Sequence, residues 1–253
     1  MVDTIDITTS RRPDARFSYA TLQGGALIVV LCLAAPVVSY GLALHSGGAQ
    51  PALAAAFTFM LCAAGGALTL WGLRKRSLYP HAHLGLCNAI TLTRGAGICA
   101  IAGQCLAPPA DPNWSFAAVA LGLLVLDGLD GWAARRARLE SPLGAKIDVE
   151  TDVAFALTLA ILAVVLGQVG LWFVALGLLR PAFLILLHLR PRLNQPLPDA
   201  LWRKRLAAIQ MGTQVALVSP LLSPALASLV AALLLGVMVI SFARDLLWLA
   251  RKR

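Results

Sequence analysis

Long apolar segments are the feature of this 253-residue chain that most limits its possible folds. A helix that crosses the hydrocarbon layer of a membrane needs about 20 mostly apolar residues, and eight segments approach that length. They occupy residues 23–45, 51–73, 89–107, 114–134, 149–167, 169–189, 206–222 and 225–247. Only 13% of the residues are charged, against about 25% in typical soluble domains. The sequence therefore predicts an all-α protein, a polytopic bundle of membrane helices.

The 21 Lys and Arg residues are distributed unevenly around these segments. Apart from Arg94 and Arg180, they lie in the N-terminal tail, in every second connection or end-turn, or in the C-terminal tail. The remaining connections, near 46–50, 108–113, 167–169 and 222–225, carry none. Because cytoplasmic loops of membrane proteins are enriched in Lys and Arg, we expect both termini on the cytoplasmic side of a cytoplasmic (inner) membrane. The net charge of +9 fits this orientation, and we expect no nucleic-acid partner.

Six of the 12 acidic residues lie between positions 127 and 152. Asp127 and Asp130 are three residues apart in one helix, and Asp148 and Asp152 are four apart in the next, so each pair shares a helix face. The short connection makes the two helices antiparallel neighbours, which brings both pairs to the same cytoplasmic level. Converging carboxylates repel unless cations lie between them, and oxygen ligands suit Mg²⁺, Mn²⁺ or Ca²⁺. The spacing predicts a site for two divalent ions.

Small residues accompany the first acidic pair: Gly128, Gly131 and Ala134. Each glycine costs a helix about 1 kcal/mol relative to alanine, and together the three residues would let a ligand approach the backbone. Close packing of membrane helices is the alternative explanation of the small residues. For the carboxylates, the alternative is a set of helix-end charges paired with Arg135, Arg136 and Arg138.

The same stretch resembles a known family signature. Asp127-x2-Asp130-Gly131-x2-Ala134-Arg135-x8-Gly144-x3-Asp148-x3-Asp152 resembles the pattern D-x2-D-G-x2-A-R-x8-G-x3-D-x3-D of the CDP-alcohol phosphotransferase (CDP-alcohol phosphatidyltransferase) family, with every fixed position met. Upstream, Asn88-x2-Thr91-x2-Arg94 resembles the start of the family's first core helix, although Cys87 stands where a proline is usual. An N-cap is the plain alternative for Asn88 and Thr91.

The resemblance implies a domain organisation and a reaction. The six-helix family core would occupy residues 77–253, after a polar tail at 1–22 and two extra transmembrane helices at 23–76. The reaction would move a phosphatidyl (substituted phosphoryl) group from CDP-diacylglycerol to a small alcohol or alcohol phosphate, with release of CMP and with Mg²⁺ or Mn²⁺, two ions, as cofactor. The family's homodimers make a homodimer the expected oligomer.

The resemblance also implies roles for individual residues. Metal ligands would be Asp127, Asp130, Asp148 and Asp152, with Asp152 the general base. Nucleotide binding would fall to Asn88, Thr91, Gly131, Ala134, Arg135 and Gly144. Apart from the resemblance, the basic side chains suggest a site for an anionic acceptor at Arg180, Arg203, Lys204 and Arg205. The alternatives are an ion pair between Arg180 and a carboxylate of the site and, for Arg203 to Arg205, a cytoplasmic anchor, which is the favoured explanation.

Three other functions stay open on the sequence. A related enzyme would use CDP-choline or CDP-ethanolamine as donor and diacylglycerol as acceptor. A transporter would use intramembrane carboxylates to move cations or protons, but it should show related halves, and no internal repeat is visible. A catalytically silent scaffold would retain the metal site alone.

Overall fold

The computed structural model describes residues 19–75, 77–108, 111–137, 141–190, 195 and 201–251, without the side chains of 130–137. Within those ranges the chain forms eight α-helices, one short 3-10 helix and no strand. The α-helices are α1 (Tyr19–His45), α2 (Pro51–Leu73), α3 (Gly85–Gln104), α4 (Trp114–Ala137), α5 (Pro142–Val165), α6 (Val174–Leu189), α7 (Leu201–Leu217) and α8 (Pro224–Arg251). The all-α prediction is confirmed, and each predicted apolar segment overlaps a helix.

The starts of several helices, among them α1, α5 and α7, differ from those of the predicted apolar segments. The start of α5 is at Pro142 rather than 149, because Ser141 caps it by accepting a hydrogen bond from the Gly144 N–H at 3.0 Å, and proline suits the first helical position. The predicted polar tail at residues 1–22 stays a prediction, because residues 1–18 lie outside the part of the chain that the structure describes, and only 19–22 can be placed. Those residues belong to α1, where the Ala20 N–H donates to the Ala82 carbonyl at 2.7 Å.

Five helical segments are long and apolar enough to cross a membrane, counted over the part of the chain that the structure describes. They are α1, α2, α3, the 3-10 turn with α6 (Leu171–Leu189), and α8. The apolar part of α4, Trp114–Leu129, is shorter, α5 carries the acidic residues in its first half, and α7 has 17 residues. The protein is therefore a multi-pass integral membrane protein.

The main apolar core lies among α3 to α8, around the fully buried rings of Phe116, Phe155 and Phe173. The α1–α2 hairpin packs on α3 through a buried polar contact in which Gln104 Nε2 donates to both the Ser39 carbonyl and the Ser39 hydroxyl at 2.9 Å. A buried amide that lost these partners would cost free energy, so the contact fixes the hairpin to the rest of the bundle.

Candidate functional site

Three carboxylates from two helices meet at one place. Asp127 lies on α4, and Asp148 and Asp152 lie one turn apart on α5, with one ligand oxygen of each within 4.8 Å of the others. Their side chains are 31–46% exposed, so the cluster faces an accessible space. Asp130 belongs to α4, one turn beyond Asp127, but its side chain lies outside the described residues.

A buried arginine from α3 joins these carboxylates. The Arg94 side chain is 1% exposed, and its Nη1 lies 2.6 Å from Asp127 Oδ1 and 3.1 Å from Asp148 Oδ1. Its Nη2 is paired with Asp152 Oδ1. A charged group inside a membrane helix bundle is costly unless it is paired, so Arg94 and the acidic cluster stabilise each other.

Sequence reasoning assigned no site role to Arg94. The available signal was a lone arginine within an apolar segment, since such a residue needs a buried partner. The sequence had suggested other cations as partners of the carboxylates. These are Arg135, Arg136 and Arg138, whose side chains lie outside the part of the chain that the structure describes.

The donor set fits a hard divalent cation. All its ligand atoms are carboxylate oxygens, which Mg²⁺ and Mn²⁺ prefer. Asp127, Asp148 and Asp152 with the Arg94 guanidinium leave a formal charge of two negative units, which one divalent ion balances. A second ion would need more oxygen ligands, and Asp130 is the next carboxylate along α4.

Two of the residues expected to bind nucleotide are neighbours across the α3–α5 contact. A Cβ added at Gly144 would lie 3.1 Å from Asn88 Oδ1, so only glycine leaves this approach unstrained. Two hydrogen bonds fix the orientation of the Asn88 amide, since its Nδ2 donates to the Leu84 carbonyl at 2.6 Å and to the Tyr79 hydroxyl at 3.0 Å.

The N-cap explanation of Asn88 and Thr91 is wrong. The residue at the N-cap of α3 is Leu84, and no side chain caps the helix. Asn88 and Thr91 lie inside the helix, and each donates to the carbonyl four residues earlier, Leu84 for Asn88 and Cys87 for Thr91, rather than accepting from free N–H groups.

Tyr79 supports this arrangement from the α2–α3 connection, and no motif or hydropathy pattern pointed to this residue. The residue is 3% exposed, and its hydroxyl donates toward the Leu84 and His83 carbonyls at 2.6 and 2.8 Å. Burial raises the pKa of Tyr79 to about 12, so the hydroxyl keeps its proton at physiological pH.

The small residues of α4 are only partly described. A Cβ at Gly128 would meet nothing within 4 Å among the residues and side chains that the structure describes, so packing against those residues does not explain this glycine. Gly131, Ala134 and Arg135 lie outside the described side chains.

The basic residues expected to bind an acceptor fall into two groups. Arg180, exposed on α6, is within electrostatic range of Asp152. Arg203 on α7 forms an ion pair with Asp245 of α8 at 3.3 Å, whereas Lys204 and Arg205 are exposed. Arg180 therefore belongs to the surroundings of the acidic cluster, and Arg203 links two helices.

Comparison with known proteins identifies one family. The sequence profile of a family described as CDP-alcohol phosphatidyltransferase matches residues 84–243. Searches among curated proteins and among solved structures found no match. The matched region contains Arg94 and all the acidic residues of the cluster, and the α1–α2 hairpin precedes it.

Proposed function

This chain belongs to the CDP-alcohol phosphatidyltransferase family, and we propose that it transfers the phosphatidyl group of CDP-diacylglycerol to a small alcohol or alcohol phosphate. CMP is the leaving group. The convergence of Asp127, Asp148 and Asp152 within 4.8 Å, beside the buried Arg94, carries the proposal. This cluster combines a cation site with a hydrogen-bond acceptor at the surface of the helix bundle, as phosphoryl transfer needs.

The four aspartates share the binding of metal ions in the proposed reaction, and Asp152 also acts as the base. Asp127, Asp130, Asp148 and Asp152 would hold two ions, Mg²⁺ or Mn²⁺. Such ions, when bound, would offset the charge of the pyrophosphate and of the departing CMP. An Asp152 carboxylate oxygen accepts the proton of the attacking hydroxyl. The hydroxyl oxygen forms the new bond to phosphorus as the bond from phosphorus to the CMP oxygen breaks.

Arg94 acts as a positioning residue in this proposal. Its guanidinium bridges α4 and α5 through Asp127 on one side and Asp148 and Asp152 on the other. Because the arginine is buried and fixed, the carboxylates keep one relative geometry before substrate arrives, which lowers the cost of assembling the site.

The nucleotide end of the donor would lie between α3, α4 and α5. Asn88 and Gly144 face each other there, and Thr91, Gly131, Ala134 and Arg135 complete the proposed nucleotide site. The open space at Gly128 supports approach along α4. Arg180 is the basic residue best placed for an anionic acceptor, because it acts electrostatically on Asp152.

We further propose the arrangement of the protein in its membrane. Residues 77–253 form the catalytic six-helix domain, and residues 23–76 an added hairpin. The charge distribution supports termini and active site on the cytoplasmic side. That placement suits a donor with a water-soluble nucleotide and two acyl tails. The proposed oligomer is a homodimer.

The test is CMP release from CDP-diacylglycerol by purified protein in detergent, with Mg²⁺ or Mn²⁺ and a panel of alcohols and alcohol phosphates. We expect release that depends on one acceptor and disappears with EDTA and in Asp152→Asn. Asp111→Asn, which changes an exposed carboxylate in the α3–α4 connection, is the matched control and should behave as wild type.

Two outcomes would contradict the proposal. Release from CDP-choline or CDP-ethanolamine with diacylglycerol, and none from CDP-diacylglycerol, would reverse donor and acceptor. Protein that binds the metal but releases no CMP from any donor would favour transport or a silent scaffold.

A further inference from the structure

A large apolar groove lies between the α1–α2 hairpin and helices α3 and α5. Its volume is about 550 Å³, within the range of about 300–1,000 Å³ that is typical of small-molecule sites. Its walls come from α1, α2, α3 and α5, with Leu31, Leu61, Leu92 and Ile147 among the lining residues. The α1–α2 hairpin, which precedes the family match, therefore supplies half of the groove.

The groove and the acidic cluster share two helices but no residue among those described. Neither Arg94 nor the three clustered aspartates line the groove, and α4, which carries Asp127, contributes nothing to it. On α5 the lining residues Ile147 and Thr151 each stand next to a clustered aspartate in sequence. Successive residues on a helix point in directions about 100° apart, so the groove is separate from the site of the reaction.

Two glycines widen the groove without being needed for helix packing. Gly65 on α2 and Gly95 on α3 both line it, and a Cβ added at either would meet no described atom within 4 Å. Each glycine costs its helix about 1 kcal/mol relative to alanine. Gly72, which also lines the groove, is different, because a Cβ there would collide with Leu143. The free space at Gly65 and Gly95 is available to a ligand.

One end of the groove carries an excess of positive charge. Trp71, a lining residue, has the Lys75 ammonium 3.5 Å from its ring centroid. Lys146 lines the groove at the start of α5, and Glu150 lies one turn further along. The end of α2 and the start of α5 are adjacent, since the Leu143 N–H donates to the Leu78 carbonyl at 3.0 Å. Two lysines and one glutamate thus lie at or near this end of the groove beside an aromatic ring, and their net positive charge suits a phosphate at the membrane surface.

We propose that this groove binds one acyl chain of an anionic glycerophospholipid that is distinct from the reacting donor. The chain lies between α2 and α3 across Gly65 and Gly95, and the phosphate lies near Lys75 and Lys146. A lipid is the occupant because the walls are apolar and three of the four helices that form them, α1, α2 and α3, are long and apolar enough to cross a membrane. The added hairpin thereby creates a lipid site beside the catalytic domain, and the inference does not depend on the proposed reaction.

Photolabelling tests the site directly. The protein is reconstituted in phosphatidylcholine vesicles that contain a few per cent of phosphatidylglycerol with a diazirine in one acyl chain, and labelled peptides are mapped by mass spectrometry. We expect label on the lining segments of α2 and α3, displaced by unlabelled phosphatidylglycerol and much less by extra phosphatidylcholine. Wild-type label found only on other helices, or displaced equally by both lipids, would overturn the proposal without any variant.

Variants then locate the acyl chain. Gly65→Leu with Gly95→Leu fills the free space, and each methylene displaced weakens binding about fourfold. We expect groove labelling to fall at least about tenfold in this double variant, and partially in each single variant. Gly236→Leu on α8, where a Cβ also meets nothing within 4 Å, is the matched control and should keep wild-type labelling. Unchanged labelling in the folded double variant would contradict the proposed position of the chain.

A last variant separates this lipid from the donor. Asp148→Asn disables the proposed reaction site but does not touch the groove, so it should lose CMP release and keep the label. Loss of the label in folded Asp148→Asn protein would assign the groove to the donor instead. Retained labelling in a protein that never released CMP would leave the lipid site standing while the proposed reaction failed.

Discussion

Replacing Arg94 by glutamine removes the cation that the three clustered carboxylates share. Loss of one partner from a buried ion pair costs about 3–5 kcal/mol. Here the guanidinium is 1% exposed, but the carboxylates are 31–46% exposed, so water screens part of the charge that is left. We therefore expect Arg94→Gln to lower the free energy of unfolding by about 2–3 kcal/mol.

A Coulomb argument gives a similar magnitude. Two unit charges 4.8 Å apart, the separation that bounds the cluster, repel by about 3.5 kcal/mol at an effective dielectric constant of 20. Arg94 offsets that repulsion in the absence of metal. Divalent cations should replace its effect, so Mg²⁺ or Mn²⁺ should stabilise Arg94→Gln more than wild type.

The assay is thermal unfolding in detergent with EDTA, followed by a dye that reacts with exposed thiols. Cys62 and Cys87 are buried, so their reaction reports unfolding. For a chain of this size, a loss of 2–3 kcal/mol lowers the Tm by about 4–12 °C. The matched control is Arg205→Gln, which changes an exposed arginine on α7 and should change the free energy of unfolding by less than about 0.5 kcal/mol. Equal Tm values for Arg94→Gln and wild type in EDTA would refute this reasoning.

Three further predictions concern the surroundings of the site. Gly144→Ala places a Cβ 3.1 Å from Asn88 Oδ1. The KM for the CDP-linked donor should therefore rise about tenfold, with a smaller change in kcat. Steady-state kinetics that show an unchanged KM would remove Asn88 from the proposed nucleotide site. Because burial raises the pKa of Tyr79 from about 10 to about 12, its neutral form stabilises the fold fully below pH 10, and this contribution is lost as the pH rises to 12. Tyr79→Phe should flatten that alkaline loss, as size-exclusion profiles between pH 9 and 12 can check. Gln104→Leu leaves the Ser39 oxygens without their donor and should cost about 1–3 kcal/mol in the same thermal assay, a result that an unchanged Tm would contradict.

Helix number and the acidic cluster could be predicted because both depend on local sequence. The bounds of α2 match the predicted 51–73, since Pro51 occupies the first helical position and Gly47 takes a positive φ of 70° in the preceding turn. Asp148 and Asp152 share a face because residues four positions apart in a helix are neighbours on its surface. The signature then placed the partner carboxylate on the preceding helix.

The starts of α5 and α7 could not be predicted from hydropathy, because charged residues lie in the first two turns of both helices. The apolar run of α5 starts after its acidic residues, whereas the helix itself starts at the Ser141 cap and Pro142. For α7 the apolar run also begins too late, since the helix starts at Leu201 and includes the basic residues 203–205. Hydropathy locates the part of a helix that lies in lipid, while caps and prolines decide where it begins.

Contacts between distant elements were beyond prediction from one sequence. Arg94 reaches partners 33 to 58 positions away, and its pairing depends on how α3 packs against α4 and α5. The support of Asn88 by Tyr79 likewise depends on the path of the α2–α3 connection. The apolar groove arises only when the hairpin packs beside α5, so no motif marks it.

Binding of Mn²⁺ tests the central claim, that carboxylates from α4 and α5 together form a metal centre. Titration of purified protein, followed by the electron paramagnetic resonance signal of free Mn²⁺, gives the affinity without any substrate. We expect wild type to bind, and Asp127→Asn and Asp148→Asn each to bind at least about tenfold more weakly. Asp245→Asn, which changes a carboxylate paired with Arg203 away from the cluster, should bind as wild type. Equal Mn²⁺ affinity in all four proteins would contradict the account.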